Sequence, residues 1–322
     1  DIIGKEKGGA TMSYESQIDI VVQVAKKFYV DNCSQVEIAQ ELKLSRPTVS
    51  RLLKKAVDSG VVEIHINDTS YELLNMGQQL AQKYGLHSAI VVKSNEGYYP
   101  AVIADAAMAA SNYLTSILKD QDLIGVGMGS AVFKILDYIR TKPSVAADVI
   151  QIQGNSIMNQ PYAQGSYIVL EFARRLGGTA HLMHAPLSVN SKLLHSLMME
   201  ERFMQNHFRL LEKMNIALIG IGTDDLRYDN EGLCDFGTDF RPASNICNHI
   251  FNLDGKLIET EYIQHTFGVP IETLQKVPEV IAIAVGARKK DAVLSAIRSG
   301  IIKSLVTDDR IAAHLLAADD DR

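Results

Sequence analysis

Cysteine is scarce in this chain. Cys33, Cys234 and Cys247 are the only three among 322 residues, and their spacing fits neither a disulfide framework nor a zinc module, which points to a reducing compartment. Long apolar runs are missing too. None reaches the roughly 18 residues of a membrane span, and the opening DIIGKEKGGATM has no apolar signal core, so a cytoplasmic protein without membrane contact is expected. No glycine-rich stretch carries the Gly-Lys-Ser/Thr of a nucleotide-binding P-loop, which argues against nucleotide hydrolysis. No nucleophile, base and orienter stand together. His181 and His184 lie on a strand-like stretch with no carboxylate pair at metal spacing, and they read as packing or surface histidines. Neither catalysis, nor a metal, nor a cofactor is expected. Positive charge is not in excess either: 32 Lys and Arg against 38 Asp and Glu give a net charge of −6, which excludes a nonspecific coat for nucleic acid.

What is present suits two or three globular domains, with 47% hydrophobic and 22% charged residues. The basic residues are concentrated in one place. In SQVEIAQELKLSRPTVSRLL, residues 34–53, Ile38, Ala39, Leu42, Leu44, Val49 and Leu52 have the spacing of a helix-turn-helix. Small Ala39 lets the two helices approach. The turn position, often Gly, is Lys43, and a left-handed turn there costs a non-Gly residue roughly 1 kcal/mol. Ser45 is a good N-cap for the second helix, and Pro47 falls in its first turn, where a missing N–H matters little.

On that second helix Val49, Leu52, Leu53 and Ala56 share one face, leaving Pro47, Ser50, Arg51 and Lys54 outward with Arg46 at the leading edge. Residues 43–55 hold Lys43, Arg46, Arg51, Lys54 and Lys55 and no acid. An exposed helix of this kind suits the major groove. Arg46 and Arg51 can each offer two donors to a guanine edge, and Ser50 can serve several bases. Thr48, Lys54 and Lys55 are better placed for phosphates, which fix register without reading sequence.

Beyond Gly60 the pattern changes. VVEIHIN (61–67) alternates like a strand, and residues 71–86 read as a linker helix with a short apolar stripe at Leu73, Leu74, Leu80 and Ala81. Short apolar strands then alternate with helical stretches: SAIVVK, DLIGVG, DVIQIQG, TAHLMHA, NIALIGIG, VIAIAVGA and KSLVTD, with helices expected over 99–119, in SAVFKILDYIR and in YIVLEFARRLGG. Strands feeding helices in this order predict a mostly parallel, Rossmann-like sheet covered on both faces. Ligands of such sheets gather at the carboxyl ends of the strands.

Those strand ends carry the second candidate chemistry. Gly125-Val126-Gly127-Met128-Gly129-Ser130 runs from a strand into a helix, and bare backbone N–H groups at a helix start hold phosphate well. Read alone, this is a phosphate cradle or a simple tight turn. Gln153-Gly154-Asn155 and Gly220-Ile221-Gly222-Thr223 are similar ends. Arg288, Lys289 and Lys290 follow AVGA, and Lys289 is the preferred ligand-facing cation; a solvated basic first turn is the alternative. The polar DLRYDNEGLCD (225–235) is a candidate cover for the pocket.

The order IAQELKLSRPTVSRLLKKA, SGVVEIHI, LIGVGMG, VIQIQG, HAPL, ALIGIGT, VGARKKDAVLSAIRSGIIKSLVTD and AAHLL, over about residues 17–317, resembles the SorC/DeoR-type sugar-binding transcriptional regulators of bacteria. The resemblance implies an operator-binding front and an effector domain similar to sugar-phosphate isomerase folds, with a phosphorylated sugar as effector and a dimer or tetramer as assembly. It places the phosphate loop at Gly125, Gly127, Met128, Gly129 and Ser130, a second loop at Gln153 and Gly154, and a pocket lysine at Lys289. Asn245 stands where many members have a sugar-facing Asp, and an amide can donate as well as accept. Met128 replaces a common Trp, Asn155 a frequent Gly, and Arg241 a usual Gly.

The expected organisation is a tail (1–13), an all-α helix-turn-helix domain (14–66), a linker helix (67–86) whose stripe helps form dimers, and an α/β effector domain (87–318). The expected function is regulation of a carbohydrate-utilisation operon through operator DNA. A sugar-phosphate isomerase-like enzyme fused to a DNA-binding front is the alternative, since fold does not fix function.

Overall fold

The computed structural model describes residues 14–62, 71–95, 99–140, 145–156, 160–223, 242–260 and 262–318. The expected tail, most of the 61–67 strand, the 225–235 segment with Cys234, and Arg241 lie outside those residues. The chain divides into two compact units, Asp1–Asp68 and Thr69–Arg322.

The first unit contains α1 (Tyr14–Tyr29), α2 (Gln35–Glu41) and α3 (Arg46–Asp58). Val24, Ile38, Val49 and Leu53 form its core, and Val21, Ala25 and Ala56 close a second cluster beside it. Ser34 opens α2 with a capping box: its Oγ accepts from the Glu37 N–H at 3.3 Å, and Glu37 Oε2 accepts from the Ser34 N–H at 2.7 Å. Those bonds hold the Glu37 carboxyl below the usual carboxylate range. Lys43 makes the turn at φ +55°. There the Leu44 N–H reaches back to the Ala39 carbonyl at 2.9 Å.

The second unit is built on seven parallel strands in the order β1 (Ser88–Val92), β10 (Ser304–Asp308), β9 (Glu279–Ile283), β5 (Ile216–Gly220), β2 (Leu123–Val126), β3 (Ala147–Gln151) and β4 (Gly177–His181). Strands β2, β5, β9 and β10 are buried on both faces almost throughout, which is why they read as continuous apolar runs. Alternate residues serve opposite cores. Ile216 and Leu218 pack with α5 (Tyr99–Ile117), α6 (Ser130–Ile135) and α7 (Gly165–Leu176), whereas Ala217 and Ile219 pack with α4 (Tyr71–Tyr84), α9 (Arg202–Leu211), α11 (Lys290–Arg298) and α12 (Asp309–Ala317).

From β2 the chain steps outward through β3 to β4 and then returns to the other side of β2 as β5, continuing to β9 and β10. The direction of winding therefore reverses between β2 and β5. A crevice at the carboxyl ends of those two strands is the favoured ligand position in such a sheet. Three short antiparallel strands, β6 (Ser244–Ile246), β7 (His249–Phe251) and β8 (Leu257–Ile258), form a separate sheet.

The helix expected as a linker is part of the second unit. Leu73 and Leu80 are buried, and a Cβ on Gly77 would lie 2.3 Å from the Ala89 carbonyl oxygen, so α4 sits directly on β1. Lys83 donates from Nζ to the carbonyls of Leu315 and Leu316 at 3.1 Å, and the Tyr84 hydroxyl donates to Leu315 at 2.7 Å. A cation thus caps the carbonyl end of α12. The stripe expected to pair copies is largely occupied within this unit.

Candidate functional site

Two separate constellations emerge, one in each unit. In the first, Ser45 caps α3, its Oγ accepting from the Thr48 N–H at 3.3 Å and bonding the Thr48 hydroxyl at 2.7 Å. Val49, Leu53 and Ala56 are buried, Leu52 is half-buried, and Arg46, Pro47, Ser50, Arg51, Lys54 and Lys55 are exposed. The face expected from the spacing is the face that forms. Thr48 is half-buried with its hydroxyl engaged, so it serves the cap as well as any outward contact. Among the described residues no hydrogen bond or ion pair occupies the five basic side chains of residues 43–55, which suits them to a polyanion.

In the second unit one continuous chain of polar contacts crosses four strand ends. Lys289, beyond β9, donates from Nζ to the Ile221 carbonyl at 2.7 Å, just beyond β5. Gly222 and Asn245 exchange backbone N–H···O bonds at 2.9 and 3.1 Å. The Asn248 N–H donates to Asn245 Oδ1 at 2.9 Å, and Gln153 Nε2, beyond β3, donates to Asn248 Oδ1 at 2.8 Å. Gln153 Oε1 in turn faces the Met128 N–H at 3.5 Å, beyond β2. The structure thus joins Met128, Gln153, Asn245 and Lys289, which lie far apart in sequence. The backbone donors fix the amides: Asn245 and Gln153 must turn their oxygens toward N–H groups.

Asn248 is the link that sequence reasoning missed. It is 6% exposed, adopts φ +74° beside Cys247 at φ +51°, and keeps a buried Nδ2 with no partner. Asn tolerates this left-handed region better than most residues, and "NICN" is the only sequence signal for such a turn. Cys247 is buried, which pushes its thiol up to about 12.

A cavity of ≈ 570 Å³ opens beside this chain, lined by Tyr99, Thr223, Arg288, Lys289, Asp308 and Arg310 among others. Asp308 is buried and spoken for: Oδ1 accepts from the Arg310 and Ile311 N–H groups at 3.0 Å, and Oδ2 accepts from Gly286. Burial, then the Asp308 charge, raises the Tyr99 phenol. Burial lowers the Lys289 ammonium below the usual lysine range. A desolvated cation resting on a neutral carbonyl favours the arrival of an anion.

The Sugar-bind family of sugar-binding domains matches residues 69–317, and a winged helix-turn-helix DNA-binding family matches residues 31–63. The chain belongs to the Sugar-bind family. It is 27% identical over 315 residues to the sorbitol operon regulator of Klebsiella pneumoniae, covering 95% of this chain and 100% of that one. The deoxyribonucleoside regulator of Bacillus subtilis (strain 168) is 26% identical, with 95% and 99% covered. The crystal structure of full-length SorC from K. pneumoniae superposes with a TM-score of 0.85 at 25% identity, over 95% of this chain and 100% of that chain. The resemblance to SorC/DeoR-type regulators therefore holds for the whole architecture. With relatives named as transcriptional regulators, the chain is a regulator with a helix-turn-helix and a sugar-binding domain, not an enzyme. No helix among the described residues is long and apolar enough to cross a membrane.

Within this Sugar-bind unit two expected ligand-facing glycines have packing roles. Gly125 lies inside β2, where a Cβ would meet Met214 Sδ at 2.2 Å. Gly154 lies against Pro186, whose carbonyl oxygen would be 2.0 Å from a Cβ. The loop's donors are also fewer than its glycines suggest. Gly127 gives its N–H to Leu218 and Gly129 gives its own to Tyr162, both at 2.9 Å. The start of α6 lies at exposed Ser130, preceded by Gly129, which makes no side-chain cap bond; the first N–H groups of a helix have no partner within it.

Proposed function

We propose that this chain is a bacterial, effector-controlled regulator of a carbohydrate-utilisation operon. Copies of α3 read operator DNA, and the strand ends of the second unit bind a phosphorylated sugar. The single observation that carries this reading is Lys289, a half-buried, partly desolvated ammonium resting on a neutral carbonyl at the wall of a cavity. Arg288 and Arg310 stand at the same wall, so an anionic group is favoured there. Asn245 and Gln153 offer amides for sugar hydroxyls. The α6 start near Ser130 is a second place for a phosphate, two strands away along the sheet.

On the DNA side, Arg46, Ser50 and Arg51 are assigned to base edges, and Lys54 and Lys55, with Thr48, to phosphates. A single helix-turn-helix makes few contacts, so dimers or tetramers bring two or four reading heads to a near-palindromic site in the cytoplasm.

The test is a thermal-shift screen with phosphorylated sugars and their free counterparts, followed by operator titrations with each hit. A ligand at ~100 times its dissociation constant adds about 2.7 kcal/mol of stability. Equal binding of a free sugar and its phosphate ester would remove the phosphate assignment, and turnover of any sugar phosphate by the purified chain would revive the isomerase alternative.

A further inference from the structure

The cavity beyond β9 has an aromatic wall that the sequence did not point to. Tyr99 and Val102 stand three residues apart in the first turn of α5, so they share a face, and both line the cavity. Val102 is buried in the core under α5 and seats that turn. The Tyr99 hydroxyl donates to the Val285 carbonyl at 3.4 Å, and its ring packs against Gly286. A Cβ on Gly286, which takes φ +97°, would lie 3.0 Å from Tyr99 Cε2. Glycine just beyond β9 thus lets the ring meet the backbone. One side of the ring is fixed in this way, yet Tyr99 remains 49% exposed. The other side is left for an occupant.

The lining is ordered along the sheet edge. Lys289 and exposed Arg288 stand beyond β9, and among the described residues the Arg288 side chain makes no hydrogen bond or ion pair. Ser94 and Asn95 line the cavity beyond β1, two strands along in the order β1, β10, β9, or about 10 Å at the usual strand spacing. Between these ends lie the Tyr99 ring and the buried side chains of Val102 and Val285. Asp308, on β10, commits its carboxylate to the N–H groups of Gly286, Arg310 and Ile311, and its charge disfavours an anion beside it. A ligand that fits is therefore anionic at the β9 end, apolar on one flat face, and polar toward β1.

We propose that Tyr99 selects a ring-closed sugar monophosphate: the C–H face of the sugar ring lies on the Tyr99 ring, the phosphate meets Arg288 and Lys289, and hydroxyls meet Ser94 and Asn95. This rests on the phosphorylated-sugar reading given above and names the form of sugar that the site takes. A closed ring offers its C–H groups as one rigid, flat face, which an aromatic side chain covers at little cost in freedom. An open-chain polyol of the same charge turns hydroxyls in every direction and must freeze several rotors to enter.

Calorimetry on the full chain tests this with a panel of pentose and hexose monophosphates. Each is paired with the alditol phosphate that borohydride makes from it, as glucose 6-phosphate is with sorbitol 6-phosphate. For the sugar phosphate that binds the parent, the alditol partner should bind roughly tenfold or more weakly. Tyr99→Leu should erase that preference by raising the dissociation constant of the sugar phosphate roughly tenfold, and Tyr99→Phe, which restores the ring, should restore the preference. A folding defect lowers the number of active sites for both members of a pair and does not change their ratio. Arg288→Ala, at an exposed position, should weaken both members alike. A panel in which nothing binds the parent sinks the phosphorylated-sugar reading, and this proposal with it. A sugar phosphate that binds the parent no better than its alditol, or that binds Tyr99→Leu or Arg288→Ala as tightly as the parent, sinks only the assignment to the Tyr99 cavity. Should Tyr99→Leu fail to fold, the parent's ratio and Arg288→Ala still decide.

Discussion

Lys289 donates from Nζ to the carbonyl oxygen of Ile221 at 2.7 Å, so a cation that leaves the sheet after β9 is held over the end of β5. Its burial lowers the ammonium pKa from the ordinary 10.5. In the free protein this makes stability rise with pH through that lowered value, because the unfolded chain then binds more protons than the folded one. Binding of an anion reverses the bias. Affinity for a sugar phosphate should therefore fall as pH rises through the window between the lowered value and 10.5, with proton uptake measurable by calorimetry in buffers of different ionisation heat. Lys289→Arg, charged throughout, should flatten the dependence. Lys289→Met should abolish the operator response while leaving the free protein's DNA affinity intact.

Arg51→Ala should cost ~1–3 kcal/mol and relax discrimination at one base pair, whereas Lys54→Ala should weaken all sequences alike and reduce the salt slope by about 1. Competition titrations at two salt concentrations separate the two patterns. Unchanged operator preference in Arg51→Ala would overturn the docking of α3. Both variants should bind the sugar phosphate as the parent does.

Lys43 occupies the left-handed turn at φ +55°. Replacement by Gly relieves that conformation and should stabilise the first unit by about 1 kcal/mol. Urea unfolding followed by a probe in residues 14–62 should show a higher midpoint with an unchanged slope.

Asn248→Gly keeps the φ +74° turn but leaves Gln153 Nε2 without its acceptor. The loss should cost about 1–3 kcal/mol of stability and weaken effector binding, since Gln153 is then free to rotate away from the Met128 loop. Calorimetry with the sugar phosphate reads the second effect. An unaltered affinity would show that the orientation of Gln153 is immaterial to the ligand.

The helix-turn-helix was legible because its rules are local: Ile38, Val49 and Ser45 each announce a core position or a cap within a few residues. The alternation of strand and helix was legible for the same reason, and it located Met128, Gln153 and Lys289 at strand ends. Asn245 came only from resemblance to relatives. The small sheet of β6, β7 and β8 left no trace, since strands of two or three residues show no alternation. Gly125 and Gly154 look like ligand-binding glycines in sequence, but the atoms that require them, at Met214 and Pro186, come from segments distant in the chain. The stripe of α4 announced an apolar face without naming its partner, and β1 and α12 of the same unit take it. Helix α1 escaped notice although Val21, Val24 and Ala25 have helical spacing, because its partner surface on α3 was already accounted for by α2.

Cys247 sits in the middle of the Asn245–Asn248 turn with its thiol buried and pushed up to about 12. As a thiol it is almost wholly un-ionised near neutral pH, and no alkylating agent reaches it while the turn is closed. Every modification at Cys247 therefore records an opening of the segment that carries Asn245 and Asn248. Site-resolved mass spectrometry after timed iodoacetamide exposure turns that sulfur into a clock for the proposed effector site, one expected to slow whenever an occupant holds the turn shut.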